Sequence, residues 1–438
     1  MTTVPTGRID SRLMDLAASI IAPPEQIRTS DWAAKYVRLG AKEAQDAGPY
    51  DPDAFPWLRD ILDIEERNPT KVGMISYKPS QLGFTIAAFI KLMKRCVDVG
   101  GKALYMIGTK DKAGELSDAR FRDIALACEP FRRVLKSKML DVINWTFTEF
   151  DRGEINWTGA GSPGELITTP YRTVIGDEFH LILHNTKKFT GDPVNQLLAR
   201  MKRQRRSWIE LFGHPTTEGT PFDLHFKQLS DQRAWVFDCP HHGCVVRLVG
   251  MDNIEIPEGP GGKPDPSRAR ILCPGCGEEI TDAQRAIAVW PKSERNPRGS
   301  GRFVPQIPDE EARAKPFVGI EVHGLCDPKK SVQEISRRWI AAPDEASRQS
   351  LMNYELGQKQ IPARKRVSIA SVDECAPREP ITLVPGPTVR GGVRFVTAGV
   401  DVQWPKENPW LYLTMIGWAS SGKAYVRRRK IRGWAALH

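Results

Sequence analysis

Long apolar runs are missing from this 438-residue chain. The longest lies within residues 85–93, and Lys91 interrupts it, so no segment is predicted to cross a membrane. The amino-terminal stretch carries Asp10 and Asp15 and lacks the basic-then-apolar layout of a secretory leader. Eight cysteines in a chain of this length do not read as a disulfide framework. A reducing cytoplasm is therefore the expected compartment. Internal repeats and long low-complexity tracts are also missing. Hydrophobic residues make up 40% and charged residues 26%, which excludes a mostly disordered chain.

What is present is a basic excess. Lys and Arg total 63 against 53 Asp and Glu, a formal charge of +10. Such a balance invites a polyanionic partner but does not define a fold. The excess gathers in two clusters. One comprises Arg200, Lys202, Arg203, Arg205 and Arg206; the other comprises Arg427, Arg428, Arg429, Lys430 and Arg432. Each reads either as a solvated face or as a contact for a phosphate backbone.

Residues 8–30 read as helical up to Pro23-Pro24, with Ser30-Asp31 as a cap for a second helix from Trp32. Strands are expected at 71–77, 103–107, 145–148, 154–158, 173–176 and 208–212, with helices at 86–97 and 112–127. This alternation predicts an α/β domain with a mostly parallel sheet. The character changes near residue 236, where four cysteines and a Gly/Pro-rich insert follow. Residues 291–390 are rich in proline and charge, with one helix at 332–342. Two strands, 394–402 and 411–418, come last, followed by 423–428. The expected units are a helical segment (1–40), the α/β domain (41–235), a cysteine module (236–290), a linker and helical region (291–390) and the start of a further domain (391–438).

Four motifs carry chemistry. Lys78-Pro-Ser-Gln-Leu-Gly83-Phe84-Thr85 joins a strand to a helix, the position where a P-loop cradles phosphates. Phe84 stands where that motif has its lysine, so Lys78 is the basic residue left to reach the phosphates and Thr85 the hydroxyl left for Mg²⁺. Thr173-Val-Ile-Gly176-Asp177-Glu178 delivers two acids at a strand end, one to assist Mg²⁺ and one to activate water. Cys239-x4-Cys244 and Cys273-x2-Cys276 offer four soft ligands for a structural Zn²⁺, and His242 could replace one of them. Asp401, in Thr397-Ala-Gly-Val-Asp401, is one acid on a strand, as a two-metal nuclease needs. His180, His184, His214 and His323 read as ordinary surface or core histidines.

In order, these pieces resemble the large terminase subunit of tailed bacteriophages of the lambda type. Further stretches add to the resemblance: Ser30-Asp-Trp-Ala-Ala-Lys-Tyr, Phe55-Pro56-Trp57, Gly159-Ala-Gly-Ser-Pro163, Gly191-Asp-Pro193, Pro215-Thr216-Thr217 and Asn353-Tyr-Glu-Leu-Gly357. The resemblance implies a P-loop NTPase of the ASCE type with a zinc-ribbon-like insertion and an RNase H-like nuclease. It implies ATP and Mg²⁺ at Lys78, Gly83, Thr85 and Asp177, Glu178 as catalytic base, and Asp401 at a Mg²⁺ or Mn²⁺ nuclease site. Double-stranded DNA, a small terminase subunit, a portal or procapsid and further copies of the chain are the implied partners, in the cytoplasm of a bacterial host. Ile167 stands where relatives carry an arginine, and Arg172 is the nearby substitute. The chain stops 37 residues after Asp401, so the nuclease half is expected to be incomplete. The competing reading is a degenerate, non-catalytic DNA- and protein-binding remnant.

Overall fold

The computed structural model describes residues 26–41, 47–136, 147–159, 168–184 and 191–360, and residues 393–403, 410–419 and 424–432 as backbone strands. The chain divides into two compact units, residues 1–362 and 363–438. Most of the expected amino-terminal helix lies outside the described residues. The helix that follows runs Thr29–Tyr36, and Ser30 does not cap it. Ser30 instead donates its backbone N–H and its hydroxyl to the buried carboxylate of Asp63, at 2.8 and 3.0 Å.

The first unit is built on a ten-stranded sheet. Its strands are β1 (Gly73–Tyr77), β2 (Ala103–Ile107), β3 (Phe147–Phe150), β4 (Gly153–Gly159), β5 (Thr173–Gly176), β6 (Trp208–Gly213), β7 (Arg233–Asp238), β8 (Val245–Val246), β9 (Arg302–Pro305) and β10 (Phe317–Glu321). The order is β8-β7-β10-β1-β6-β5-β2-β4-β3, with β9 on β7. The middle of the sheet, from β10 to β4, is parallel. Strands β1, β5 and β6 are buried along their whole length, as a parallel sheet with helices on both faces requires.

Four strands of this sheet were not expected. Strands β9 and β10 come from the stretch read as linker, yet β10 pairs with β1 at the centre of the sheet. Phe-Val-Gly-Ile-Glu is too short to separate from its surroundings by pattern, and its place is set by pairing with a strand far away in sequence. The other two are β7, at the border where the cysteine module was expected to begin, and the two-residue β8 inside that module, which pairs with β7.

The helix after β1 runs Phe84–Asp98 and carries its apolar residues into the core. Lys91 also points inward, where its ammonium pairs with Glu210 of β6 and donates to the Ile61 carbonyl at 3.1 Å. A buried lysine needs such partners. The helix after β2 has three parts: α-helical Lys110–Glu115, π-helical Leu116–Phe121 and α-helical Arg122–Ala127.

The cysteine module adds a small antiparallel sheet, Ile254–Glu255, Arg270–Leu272 and Glu279–Ile280. In the second unit, β11 (Val393–Gln403), β12 (Trp410–Ala419) and β13 (Ala424–Arg432) form an antiparallel sheet. Asp401 sits on β11 opposite Tyr412. The second basic cluster lies on β13.

Candidate nucleotide site and metal cluster

Parallel strands end on the same edge, so β1, β6 and β5 bring three loops together. Strand β6 lies between the P-loop strand and the strand that ends in Asp177 and Glu178. A cleft of about 300 Å³ opens there, lined by residues 78–86 together with Arg120, Glu178 and His214.

The loop from Lys78 to Gly83 is held in a tight form. Gln81 and Gly83 both adopt positive φ, at 61° and 81°. A Cβ on Gly83 would lie 3.2 Å from the Leu58 side chain. Phe84, at the expected lysine position, is buried and tilts against Phe212 at 6.4 Å. It is a core residue and leaves the cationic role open.

Lys78 reaches across to the acids. Its ammonium lies 2.9 Å from Glu178 Oε1 and 4.0 Å from Asp177 Oδ1. Thr85 donates its hydroxyl to Asp177 Oδ2 at 2.9 Å, and Tyr105 donates to the same oxygen at 3.1 Å. Burial raises the Asp177 carboxyl above its usual range, with Lys78 opposing. Burial also pushes Glu178 up, but its hydrogen bond with His214 and the Lys78 charge prevail and hold it at about 2. Glu178 is therefore an anion here. Its backbone has φ of 52°, a strained state for a residue with a side chain, and one that concentrates at functional sites.

Two histidines read as ordinary residues flank Glu178. His214 Nε2 is 3.3 Å from Oε1, and His180 Nδ1 is 3.4 Å from Oε2. A Cβ on Gly213 would come within 2.6 Å of His180 Nδ1, so that glycine makes the approach feasible. The sequence shows only that His214 directly follows a strand; the pairing of β5 with β6 is what sets it beside Asp177-Glu178. Arg172 is elsewhere. It precedes β5, at the opposite end of the strand, and donates to the Val99 carbonyl at 3.0 Å. Ile167 lies outside the described residues. The cluster from Arg200 to Arg206 also lies before β6, away from the cleft.

The four cysteines converge from two hairpins. Cys239 and Cys244 sit at the β7–β8 turn, and Cys273 and Cys276 sit between two strands of the small sheet. Their sulfurs lie within 4.8 Å of one another. Cys273 is raised by burial, but N–H groups of Cys276 and Gly275 and the Cys244 thiol lower it to about 7. Four convergent thiols of this kind suit a soft tetrahedral ion. His242 is exposed and outside the group, so the described residues offer four sulfurs and no nitrogen.

A glycine-bearing strand-to-helix loop, facing two acids across an intervening strand, defines a P-loop NTPase of the catalytic-glutamate class. Residues 44–292 match the family model described as phage terminase large subunit gpA, ATPase domain. Residues 317–436 match that of the terminase large subunit gpA, endonuclease domain, a match that begins in β10 and includes Asp401. The chain belongs to the GpA family of phage terminase large subunits and is an ATP-driven DNA-packaging motor.

Among solved structures, the chain is similar to the large terminase of bacteriophage HK97, at 11% identity and a TM-score of 0.43, over 92% of this chain and 67% of that one. It is also similar to the ATPase domain of the Thermus phage P74-26 large terminase, at 13% identity and a TM-score of 0.35, over 65% of this chain and 89% of that one. The family assignment rests on the two family models. No curated protein matches the chain.

Proposed function

We propose that ATP is hydrolysed in the cleft between Lys78 and Glu178. The backbone from Lys78 to Gly83 and the lysine ammonium would hold the phosphates. Thr85 and Asp177 suit Mg²⁺, because Asp177 Oδ1 is buried without a hydrogen-bond partner and points to a missing hard cation. Bound there, the ion would neutralise phosphate charge.

Glu178 accepts a proton from the attacking water. The water oxygen bonds to the γ-phosphorus as the bond to the β–γ bridging oxygen breaks, and ADP leaves with that electron pair. His214 and His180 hold the carboxylate in place. The single observation that carries this reading is the convergence of Lys78, Thr85, Asp177 and Glu178 from two distant segments. It also disfavours the non-catalytic remnant, which needs no such convergence. ATP turnover by the purified chain with double-stranded DNA, beside Glu178→Gln, tests the reading. Turnover unchanged by that substitution would refute it.

The finer parts rest on the family. The two basic clusters would contact the DNA backbone without reading bases. Asp401 would supply one carboxylate to a two-metal nuclease centre using Mg²⁺ or Mn²⁺. The four cysteines would hold a structural Zn²⁺. The amino-terminal segment would meet a small terminase subunit, and the carboxy-terminal part a portal or procapsid, with several copies of the chain acting together in the host cytoplasm. Among the described residues, no helix is long and apolar enough to cross a membrane.

A further inference from the structure

Among the described residues that line the nucleotide cleft, free positive charge is scarce. Phe84 removes the usual P-loop lysine. Lys78 is already engaged by Glu178 at 2.9 Å. A triphosphate brings several negative charges, and more charge moves onto ADP as the bridging bond breaks. Another cation should therefore face the cleft.

Arg120 is that cation. It lines the cleft with the P-loop, Glu178 and His214. It is half-buried, and among the described residues no carboxylate pairs with it, whereas its neighbour Arg122 is bound to Asp118 at 2.5 Å. Its charge is felt at Tyr105, the residue that donates to Asp177.

The backbone explains why Arg120 sits there. It belongs to the π-helical run Leu116–Phe121, set between two α-helical pieces. A π-turn inserts a residue and re-aims the side chains around it, and such turns concentrate at functional sites. This one is anchored by the next residue. Phe121 is fully buried against Phe89, Trp157 and Phe131, with ring centroids at 5.3, 4.8 and 5.9 Å. An arginine on a fixed backbone, with no carboxylate to release, is pre-organised for an anion.

We propose that Arg120 is a catalytic residue. Its guanidinium, from the same chain as the P-loop, donates to the phosphate oxygens and stabilises the charge that develops during hydrolysis. The proposal rests on the nucleotide site described above.

The test uses the full chain with double-stranded DNA, and reads ATP turnover and the binding of fluorescent ATP and ADP analogues. Arg120→Ala should lower kcat by about 10³-fold, in the range seen for arginines of this role. It should weaken binding of the ATP analogue more than that of the ADP analogue. Arg120→Lys should recover part of kcat, which a purely structural side chain would not predict. Mixing Arg120→Ala with Glu178→Gln should restore nothing, because the arginine serves its own cleft. A kcat for Arg120→Ala within about threefold of the parent, while Glu178→Gln is inactive, overturns the role of Arg120 and leaves the site standing. Recovery on mixing overturns the same-chain assignment. A parent chain that neither binds nor hydrolyses nucleotide overturns the site itself, and Arg120 with it.

Discussion

Lys78 of the P-loop and Glu178 of the acid pair meet at 2.9 Å, although a hundred residues separate them in the chain. In the proposed reading, the lysine that would bind phosphate thus rests on the carboxylate that would activate water. On that proposal, nucleotide would compete for Lys78 and in doing so free Glu178. The pair is mostly buried, so its coupling is measurable. A double-mutant cycle of Lys78→Ala and Glu178→Gln, read by denaturant unfolding, should give an interaction of about 1–3 kcal/mol. Additive effects would show that the contact is not energetically real.

Glu178→Gln keeps the shape of the side chain and removes its basicity. ATP turnover should fall by about 10²–10⁴-fold, the span for loss of a general base. Nucleotide binding should survive, because Lys78 is then free of its counter-charge. Lys78→Ala should do the reverse and abolish binding. Equilibrium titration with a fluorescent nucleotide separates the two variants.

Gly83 adopts φ of 81° and lies under Leu58. Gly83→Ala should cost about 1–2 kcal/mol from the left-handed backbone alone. The loop would shift to relieve that strain, so nucleotide affinity should fall along with stability. Thermal unfolding with and without nucleotide reads both effects.

The sulfur cluster predicts one zinc per chain by elemental analysis. Cys273→Ser, or a strong chelator, should release the ion and lower the unfolding temperature, since ligand binding and local folding are coupled. His242→Ala should leave the zinc content unchanged, because that side chain is outside the cluster. Loss of zinc in His242→Ala would reverse the ligand assignment.

His323 gives a pH prediction. Burial lowers its pKa from 6.5 to about 4, and Arg247 and Lys359 add to this against the opposing Glu321. The unfolded chain takes up the proton near pH 6.5, while the folded chain resists until about 4. Stability should therefore fall as pH drops through that window. His323→Gln should flatten that part of the profile in denaturant titrations across pH 4–7. An unchanged slope would mean that His323 is accessible to protons in the folded state.

Much of the parallel sheet was legible because its strands are short apolar runs between loops, and the P-loop and acid pair each sit at the end of one. Strand β10 was not legible. Its five residues carry too little pattern, and only pairing with β1 defines them. The Ser30 cap failed for a related reason: a distant acid, Asp63, takes the serine that local rules would spend on the helix. His214 and His180 looked ordinary because their partner, Glu178, is recognisable only once β5 and β6 lie side by side. Arg172 looked eligible because it is close in sequence to the acid pair, but it belongs to the other end of the strand.

By itself, the sequence determined the chemical inventory: the P-loop with phenylalanine in place of lysine, the two acids at a strand end, the paired cysteines and the basic excess. These are local facts, carried by residue type and spacing. Tertiary structure decided which of them meet. It set Lys78 against Glu178, gathered four sulfurs from two hairpins, excluded His242 and Arg172, and placed Arg120 among the residues that line the cleft. The physical reason is that a parallel sheet joins segments far apart in the chain by backbone pairing, and that pairing chooses the neighbours of each side chain.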